Sequence, residues 1–300
     1  MPRKKQPLKK AKPKAETLGR LVFAIRDRLS KAGVFNPYQT AEVIISEALN
    51  IPRAQIYLEP ERKLKKAELK KIQKWVSERA TRKPLSYILA RAWFREIELK
   101  VNPSVLLPRM ETELLAEEAI KIIKADPSIK KILDLGTGSG AIILSLAFEL
   151  KELKRKLKFS ASDISSPALL TAQKNAEALG LEKKIEFRTG DLFAPFARQK
   201  FDLIVCNPPY IPENELEKLM PEVSKFEPRI ALNGGKQGLE IIKEILAQAP
   251  QRLAPKGWLL LEIGKGQAKK LLKFQPTGLR LTGLVKDYQA IERIAEFQKR

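Results

Sequence analysis

The 300-residue sequence contains no histidine. This absence excludes Ser-His-Asp hydrolysis and Cys-His proteolysis, and it removes nearly every zinc or non-haem iron site, so we predict no metal. The single cysteine, Cys206, cannot form an internal disulfide. No apolar run approaches the roughly 18 residues of a membrane span, and no apolar signal segment follows the N-terminus. These absences predict a cytoplasmic protein whose chemistry uses other groups.

Acidic residues are few relative to basic ones. Lys and Arg number 57 against 35 Asp and Glu, which gives a formal net charge of +22. A field of this sign attracts nucleic acid, ribosomes or acidic proteins without choosing among them. Residues 1–16 hold seven bases, one acid and three prolines. They predict a disordered basic tail, which is either a solvated extension or an arm for weak ribosome or RNA contact.

The spacing of apolar residues predicts a small helical domain over residues 17–84. Three segments, at 18–29, 37–49 and 65–80, place apolar residues at helical intervals along one face. Such a face must be buried against other helices, so the three segments are expected to pack together as a bundle.

The pattern changes after this domain. Residues 85–108 carry alternating apolar positions near their C-terminal end and predict a hairpin linker. From 109 to 300, short apolar runs alternate with helical stretches, which is typical of a mostly parallel sheet covered by helices on both faces. The expected strands lie at 131–135, 157–161, 185–187, 201–206 and 257–263. We therefore predict a second domain of the α/β class.

A glycine-rich turn follows the first of these strands. It reads Gly136-Thr137-Gly138-Ser139-Gly140 and leads directly into a predicted helix. Glycines at such a turn let the backbone bend sharply and approach a ligand closely. Asp163 ends the next strand, where a carboxylate can accept both hydroxyls of a ribose. Together the turn and the acid predict an adenosine-containing cofactor.

Two cofactors fit this pattern. The spacing Gly136-x-Gly138-x-x-Ala141 satisfies the relaxed dinucleotide fingerprint, so NAD is one of them. Asp134 favours the other, S-adenosylmethionine, because an anion there is badly placed for a pyrophosphate and well placed near a sulfonium and an ammonium. Asp191 ends a further strand at the same edge of the sheet, which favours a ligand site over a turn without a ligand.

The tetrapeptide Asn207-Pro208-Pro209-Tyr210 follows the strand at 201–206, at the same edge of the sheet. The two prolines stiffen the turn and remove two N–H donors, so the turn presents acceptors. The Asn207 side-chain carbonyl and the Pro208 main-chain carbonyl match the two hydrogens of one planar NH₂ group. Holding both hydrogens turns the nitrogen lone pair toward a methyl donor. We predict that Asn207 and Pro208 are catalytic and that Tyr210 forms an aromatic wall for the planar target.

With these motifs in place, residues 17–300 resemble the HemK-type glutamine-N5 methyltransferases of peptide chain release factors. The resemblance extends to Pro84-Leu85-Ser86-Tyr87-Ile88, Pro108–Glu113, Glu227-Pro228-Arg229, Gly234-Gly235 and Leu261-Glu262-Ile263-Gly264 with Gln267. It implies a Rossmann-like class I methyltransferase domain behind a small helical bundle. It also implies S-adenosylmethionine as donor and, as substrate, the glutamine of the Gly-Gly-Gln motif of class I release factors, the proteins of translation termination. The helical domain would help to hold the release factor.

The resemblance also assigns site residues. The cofactor is lined by the glycine loop at 136–140, by Asp163 and by the pair Asp191 and Leu192, with Asn207 between cofactor and substrate. Asn207, Pro208, Pro209 and Tyr210 form the substrate site. The chain departs from the family pattern at Ala90, where glycine is usual, at Met110, where proline is usual, and at Leu192, where some members carry an aromatic residue over the adenine.

Other functions compete with this one. Enzymes that methylate the exocyclic amine of adenine in DNA or RNA use the same tetrapeptide, and the net charge favours them. The bases are spread along the chain, however, and no separate domain for reading base edges is apparent. A ribosomal-protein glutamine methyltransferase would show nearly the same sequence pattern. A non-catalytic RNA- or ribosome-binding protein with the same fold would be expected to have lost Asn207 or Asp163, and the chain has both.

Overall fold

The structure is a computed structural model that describes residues 17–274 and 276–300. The predicted basic tail, residues 1–16, lies outside the described residues. The chain forms two compact units that divide after Leu89. No helix in the described residues is both long enough and apolar enough to span a membrane.

The first unit is helical. Its helices are α1 (Leu18–Lys31), α2 (Pro37–Leu49), α3 (Gln55–Leu58), α4 (Lys66–Ala80) and α5 (Leu85–Leu89). The three longest of these correspond to the three segments that the apolar spacing predicts. Leu21 and Ile25 of α1, Ile44 of α2 and Ile72 of α4 are buried in one shared core, as the helical interval requires.

The boundary between the units differs from the predicted one. The helical unit extends to Leu89 rather than residue 84, because residues 85–89 form the additional helix α5. The rest of the expected linker begins with an antiparallel hairpin, β1 (Arg91–Phe94) and β2 (Ile97–Lys100), which belongs to the second unit.

The second unit is built on a seven-stranded sheet. Its strands are β3 (Lys131–Leu135), β4 (Lys158–Asp163), β5 (Ile185–Thr189), β6 (Phe201–Cys206), β7 (Leu253–Glu262), β8 (Leu279–Lys286) and β9 (Glu292–Lys299). They lie in the order β5-β4-β3-β6-β7-β9-β8. Strands β3 to β7 are parallel, and β9 runs antiparallel to both of its neighbours.

Helices cover both faces of this sheet. The helices of this unit are α6 (Met110–Ala125), α7 (Ala141–Glu149), α8 (Ser166–Ala178), α9 (Pro221–Ser224), α10 (Glu240–Arg252) and α11 (Ala268–Lys273). The central strand β6 shows why both faces need cover. Leu203 and Val205 point into one core, and Ile204 and Cys206 point into the other. Alternate side chains of a strand face opposite sides, so a continuous apolar run is buried on both.

The last two strands were not predicted from the sequence. Strand β8 lies at the edge of the sheet, and of its residues only Leu279 is fully buried, so it lacks the apolar run that marks the central strands. Strand β9 mixes charged residues with buried Ile294, Ala295 and Phe297. Edge and antiparallel strands are solvated on part of their surface, and their sequence signal is correspondingly weaker.

Ala90 provides a test of local strain. Its φ is +58°, in the left-handed region, where a Cβ costs about 1–2 kcal/mol and glycine avoids this cost. Ala90→Gly should therefore raise the free energy of unfolding by about 0.5–1 kcal/mol after the entropic cost of glycine is subtracted. Urea denaturation measures the change. The matched control Ala92→Gly, in the paired strand β1, should lower stability instead. Equal effects at the two positions would contradict the assignment of strain to Ala90.

Candidate active site

The site lies where the strand order reverses direction. Strands β4 and β5 follow β3 in sequence and lie successively to one side of it. The next strand, β6, lies on the other side of β3. In open α/β sheets a crevice opens at the carboxyl ends of the strands at such a point. A cavity of about 500 Å³ lies there. Most of its lining comes from the segments 104–108, 135–139, 162–165, 190–192, 206–209 and 228–231.

The glycine loop forms the wall of the cavity above β3. Gly136 and Gly138 have φ of +72° and +57°, and a Cβ built at either would meet no protein atom within 4 Å. A side chain at these positions would therefore occupy the cavity. Gly140 has a different role, because its Cβ would lie 2.7 Å from Leu144 Cδ1 in α7 and it does not line the cavity. Thr137 and Ser139 line the cavity between the glycines.

Asp163 connects this loop to the end of β4. Its Oδ2 accepts a hydrogen bond from the Gly138 N–H at 2.8 Å, and its Oδ1 accepts one from the Ser165 N–H at 2.8 Å. Burial raises the pKa of the carboxyl group above its ordinary value. Asp163 lines the cavity, and each carboxylate oxygen has a second lone pair with which to accept from a ligand hydroxyl.

Asp134 is placed differently from the prediction. It is fully buried and does not line the cavity. Its Oδ2 accepts hydrogen bonds from the Thr137 hydroxyl at 2.6 Å and from the Ile143 N–H at 3.3 Å. Its Oδ1 has no hydrogen-bond partner among the described residues, and burial raises the pKa of the group to about 7. Asp134 therefore braces the glycine loop from behind.

Asp191 and Leu192 both line the cavity after β5. Asp191 is exposed. Leu192 has a φ of +41°, a conformation that is costly for a bulky residue and that is found at ligand sites. Ile164 and Ile230 also line the cavity and are 53% and 56% exposed. Apolar walls of this kind suit a planar, largely apolar ligand group.

The tetrapeptide lies at the end of β6. Asn207, Pro208 and Pro209 line the cavity. The Asn207 Nδ2 donates a hydrogen bond to the Thr112 Oγ1 at 3.0 Å, which leaves the side-chain carbonyl oxygen as the acceptor end. The peptide bonds of the prolines are trans. Three residues of the turn thus lie in the cavity wall, and the acceptor role of their carbonyl oxygens stays a prediction.

Tyr210 lies elsewhere than predicted. It does not line the cavity, and it packs against the apolar core beside β7. Its hydroxyl donates to the Glu262 Oε1 at 3.2 Å, and its carbonyl accepts from the Gln267 Nε2 at 3.0 Å. Burial raises the pKa of the Tyr210 hydroxyl. The aromatic wall expected from Tyr210 is therefore not present in this arrangement.

Cys206, which precedes the tetrapeptide, is buried, and burial raises the pKa of its thiol well above the ordinary value. The thiol is therefore protonated at neutral pH, as expected for a small buried residue rather than a nucleophile.

One wall of the cavity was not anticipated from the sequence. Residues 104–108 and 228–231 line it, and buried Glu227 connects the two segments. Glu227 Oε2 accepts from the Leu107 N–H at 3.2 Å, and its Oε1 accepts from the Arg109 guanidinium at 2.5 Å. The motif Glu227-Pro228-Arg229 is one of the segments that carry the family resemblance, but the resemblance assigned it no role in the site. The only signal in the sequence was an acid followed by a proline, and the hydrogen-bond partners of Glu227 lie 120 and 118 residues away.

This sheet order, with a glycine loop after β3 and an acceptor turn after β6, defines a class I methyltransferase. Two family models match the chain, the PrmC N-terminal domain over residues 22–89 and the Methyltransferase small domain over residues 111–222. The chain belongs to the release factor glutamine methyltransferase family.

Relatives of that name cover nearly the whole chain. The protein from Geobacter sulfurreducens is 38% identical over 94% of this chain and 97% of its own length. The protein from Caulobacter vibrioides is 35% identical over 93% and 95%. Among solved structures, the hMettl16 catalytic domain in complex with an RNA hairpin matches with a TM-score of 0.50 at 19% identity, over 75% of this chain and 81% of that chain. At this identity the likeness shows the fold alone.

The buried carboxylate of Asp134 predicts a pH-dependent cost in stability. Because its folded pKa is raised to about 7, the protonated group does not destabilise the fold at low pH. The free energy of unfolding of the parent therefore falls as the pH rises from the ordinary aspartate pKa through about 7. Asp134→Asn keeps the carbonyl acceptor and removes the charge, so it should be more stable than the parent at pH 8 and similar to it near pH 4.

Urea unfolding of parent and Asp134→Asn at the two pH values isolates this group, since the other titrating groups are common to both proteins. The difference in unfolding free energy between the two proteins should be larger at pH 8 than at pH 4 by about 2–4 kcal/mol, because a tenfold change in proton affinity corresponds to about 1.4 kcal/mol. A difference that stays constant with pH would contradict the buried, uncompensated carboxylate.

Proposed function

We propose that the protein transfers a methyl group from S-adenosylmethionine to the side-chain amide nitrogen of the glutamine in the Gly-Gly-Gln motif of class I peptide chain release factors. The observation that carries this proposal is the Asn207 side chain, held by Thr112 in the same cavity as the glycine loop. Family membership supports the choice of acceptor, since the relatives are named release factor glutamine methyltransferases.

The residues present fit S-adenosylmethionine. When bound, this molecule supplies an electrophilic methyl group on a sulfonium centre. Gly136 and Gly138 keep side chains out of the cavity, which leaves room for close approach to the backbone. Asp163 is suited to the ribose hydroxyls. The Asp134 carboxylate, whose Oδ1 has no hydrogen-bond partner among the described residues, places negative charge behind the loop for a cationic ligand. Leu192 would contribute an apolar wall.

The acceptor turn performs the chemistry in this proposal. The Asn207 side-chain carbonyl and the Pro208 main-chain carbonyl accept the two hydrogens of the substrate NH₂ group. An amide nitrogen is a poor nucleophile because its lone pair is delocalised, and holding both hydrogens orients that lone pair for in-line attack. Both hydrogen bonds strengthen as positive charge develops on the nitrogen, so they stabilise the transition state more than the ground state.

Three further assignments belong to the proposal. The helical unit helps to hold the release factor, as the family resemblance implies. The tail at 1–16, whose charge is strongly positive, makes weak contacts with the ribosome or RNA. The reaction takes place in the cytoplasm, where release factors act.

Asp163 tests the cofactor assignment. Asp163→Ala should weaken S-adenosylmethionine binding by about 1.5–3 kcal/mol, which is typical of hydrogen bonds to a charged group. Titration calorimetry measures the affinity. Asp202→Ala is the matched control, because Asp202 also accepts from two backbone N–H groups, those of Lys130 and Lys131, but at the opposite end of the sheet. Unchanged affinity in Asp163→Ala, or tight NAD binding by the parent, would contradict the ribose role.

Asn207 tests the chemical step. Asn207→Ala removes one acceptor whose hydrogen bond strengthens in the transition state, so kcat should fall by about 10²–10³-fold, as when one oxyanion-hole donor is removed. Asn207→Asp keeps the size and the acceptors and is expected to retain part of the lost activity. Normal turnover by Asn207→Ala would overturn the mechanism.

The substrate is identified in the same assay. The parent is incubated with radiolabelled S-adenosylmethionine and either an intact class I release factor or a whole-cell extract. Label should appear on the release factor, and a release factor with its Gly-Gly-Gln glutamine replaced should accept none. Label on adenine in nucleic acid would instead support the N6-adenine reaction, and label on a ribosomal protein would support the other glutamine methyltransferase.

A further inference from the structure

Glu262 is a buried carboxylate to which the proposed mechanism assigns no role. It is the last residue of β7, the strand next to β6, and it is only 1% exposed. It does not line the cavity, so no ligand there explains it. Its Oε2 has no hydrogen-bond partner among residues 17–274 and 276–300. Burying such a group is costly, which calls for a physical reason for its position.

Its contacts lead to both ends of the acceptor tetrapeptide. The Tyr210 hydroxyl donates to the Glu262 Oε1 at 3.2 Å. The Thr112 hydroxyl, from the first turn of α6, faces the same carboxyl group and lowers its pKa, as a nearby hydroxyl donor does. The same Thr112 oxygen accepts from the Asn207 Nδ2 at 3.0 Å. Polar contacts therefore run from Asn207 through Thr112 and Glu262 to Tyr210, with a hydrogen bond at each end of the series.

The donors and acceptors in this series of contacts are fixed by the Glu262 carboxylate. A carboxylate can only accept, so the single hydroxyl proton of Thr112 is directed to Glu262. The Thr112 oxygen can then offer Asn207 only a lone pair, and that lone pair selects the NH₂ end of the amide. The two ends of an asparagine amide have nearly the same shape, so nothing steric prevents the opposite orientation. In the opposite orientation the NH₂ end would face the substrate, and it cannot accept a hydrogen bond.

The surrounding charges are compatible with an acceptor role. Arg293 and Glu111 act on the carboxyl group with opposite signs. Arg293 itself pairs with Asp287 at 2.8 Å. If Glu262 takes up a proton, the unpartnered Oε2 is the oxygen that can carry it, and Oε1 still accepts. The Thr112 hydroxyl can therefore donate to Glu262 whether or not the Glu262 carboxyl group is fully ionised.

We propose that Glu262, acting through Thr112, is a positioning residue that orients the Asn207 amide with its carbonyl oxygen toward the methyl acceptor. This inference rests on the proposed function, because the acceptor must be an NH₂ group. It makes Thr112 and Glu262 determinants of turnover even though Glu262 contacts no ligand.

The first test compares Thr112→Val, Thr112→Ser and Glu262→Gln in the full-length chain with an intact release factor as acceptor. Valine matches the shape of threonine and removes the hydroxyl, so kcat should fall by about 10–100-fold, the range expected when a reacting group is misplaced. Serine should recover most of the loss. Glu262→Gln should also lower kcat, because its NH₂ end can donate to Thr112 and permit the reversed orientation. S-adenosylmethionine affinity should change little in all three variants.

A double-mutant cycle separates positioning from direct contact. In an Asn207→Ala background, Thr112→Val should lower kcat by less than about twofold, because the group through which it acts is gone. Losses that multiply would show that Thr112 acts independently of Asn207 and would overturn the inference. Asp202→Asn, a carboxylate-to-amide change at the far end of β6, should leave kcat unchanged.

A readout without turnover keeps this inference distinct from the proposed function. In NMR spectra of the unliganded protein, the Asn207 side-chain NH₂ should be protected from hydrogen exchange in the parent and in Thr112→Ser, and unprotected in Thr112→Val. Parental turnover and protection in Thr112→Val would overturn the positioning role while leaving the function intact. A parent that shows the protection but does not methylate the release factor would overturn the proposed function instead.

Discussion

The parallel pairing of β3 with β6 is the contact on which the site depends. In its register Leu135 lies opposite Cys206, so the next residues along the two strands, Gly136 and Asn207, emerge side by side at one edge of the sheet. A shift of one residue would turn each apolar side chain of β6 to the opposite face. Because both faces of β6 are packed, the two core clusters hold this register. The distance between the cofactor loop and the acceptor turn is therefore set by core packing rather than by contacts within the site.

Buried carboxylates recur around this edge, and each stabilises a different backbone segment. Asp163 connects the glycine loop to the turn after β4, and Glu227 joins two walls of the cavity that are far apart in sequence. Asp134 braces the loop and Glu262 faces the acceptor turn, and each has one oxygen with no hydrogen-bond partner in the part of the chain that the structure describes. Burial raises the pKa of all four. The site thus gathers four acidic groups whose ionisation is made costly by burial, within a chain whose overall charge is strongly positive.

Local patterns in the sequence were sufficient for the parts of the structure that depend on neighbouring residues. The helical intervals, the apolar central strands, the glycine turn and the proline-stiffened acceptor turn all follow from spacing and backbone preference. The failures involve partners distant in sequence. Tyr210 was expected to face the ligand, but Glu262 and Gln267, more than 50 residues away, hold it in the core. Strands β8 and β9 were not predicted because they are stabilised by pairing with neighbouring strands and lack a continuous apolar run of their own.

The burial of the Cys206 thiol affects its reactivity toward a methyl donor. A methyl donor of the sulfonium type alkylates soft nucleophiles, and a thiolate is a far better nucleophile than an amide nitrogen. Cys206 immediately precedes Asn207 and lines the same cavity. Burial, reinforced by the negative charge of Asp134, Glu262 and Asp163, keeps its sulfur protonated. The anionic surroundings that would suit the proposed cationic donor thus also keep the only thiol of the 300-residue sequence in its less nucleophilic, protonated form.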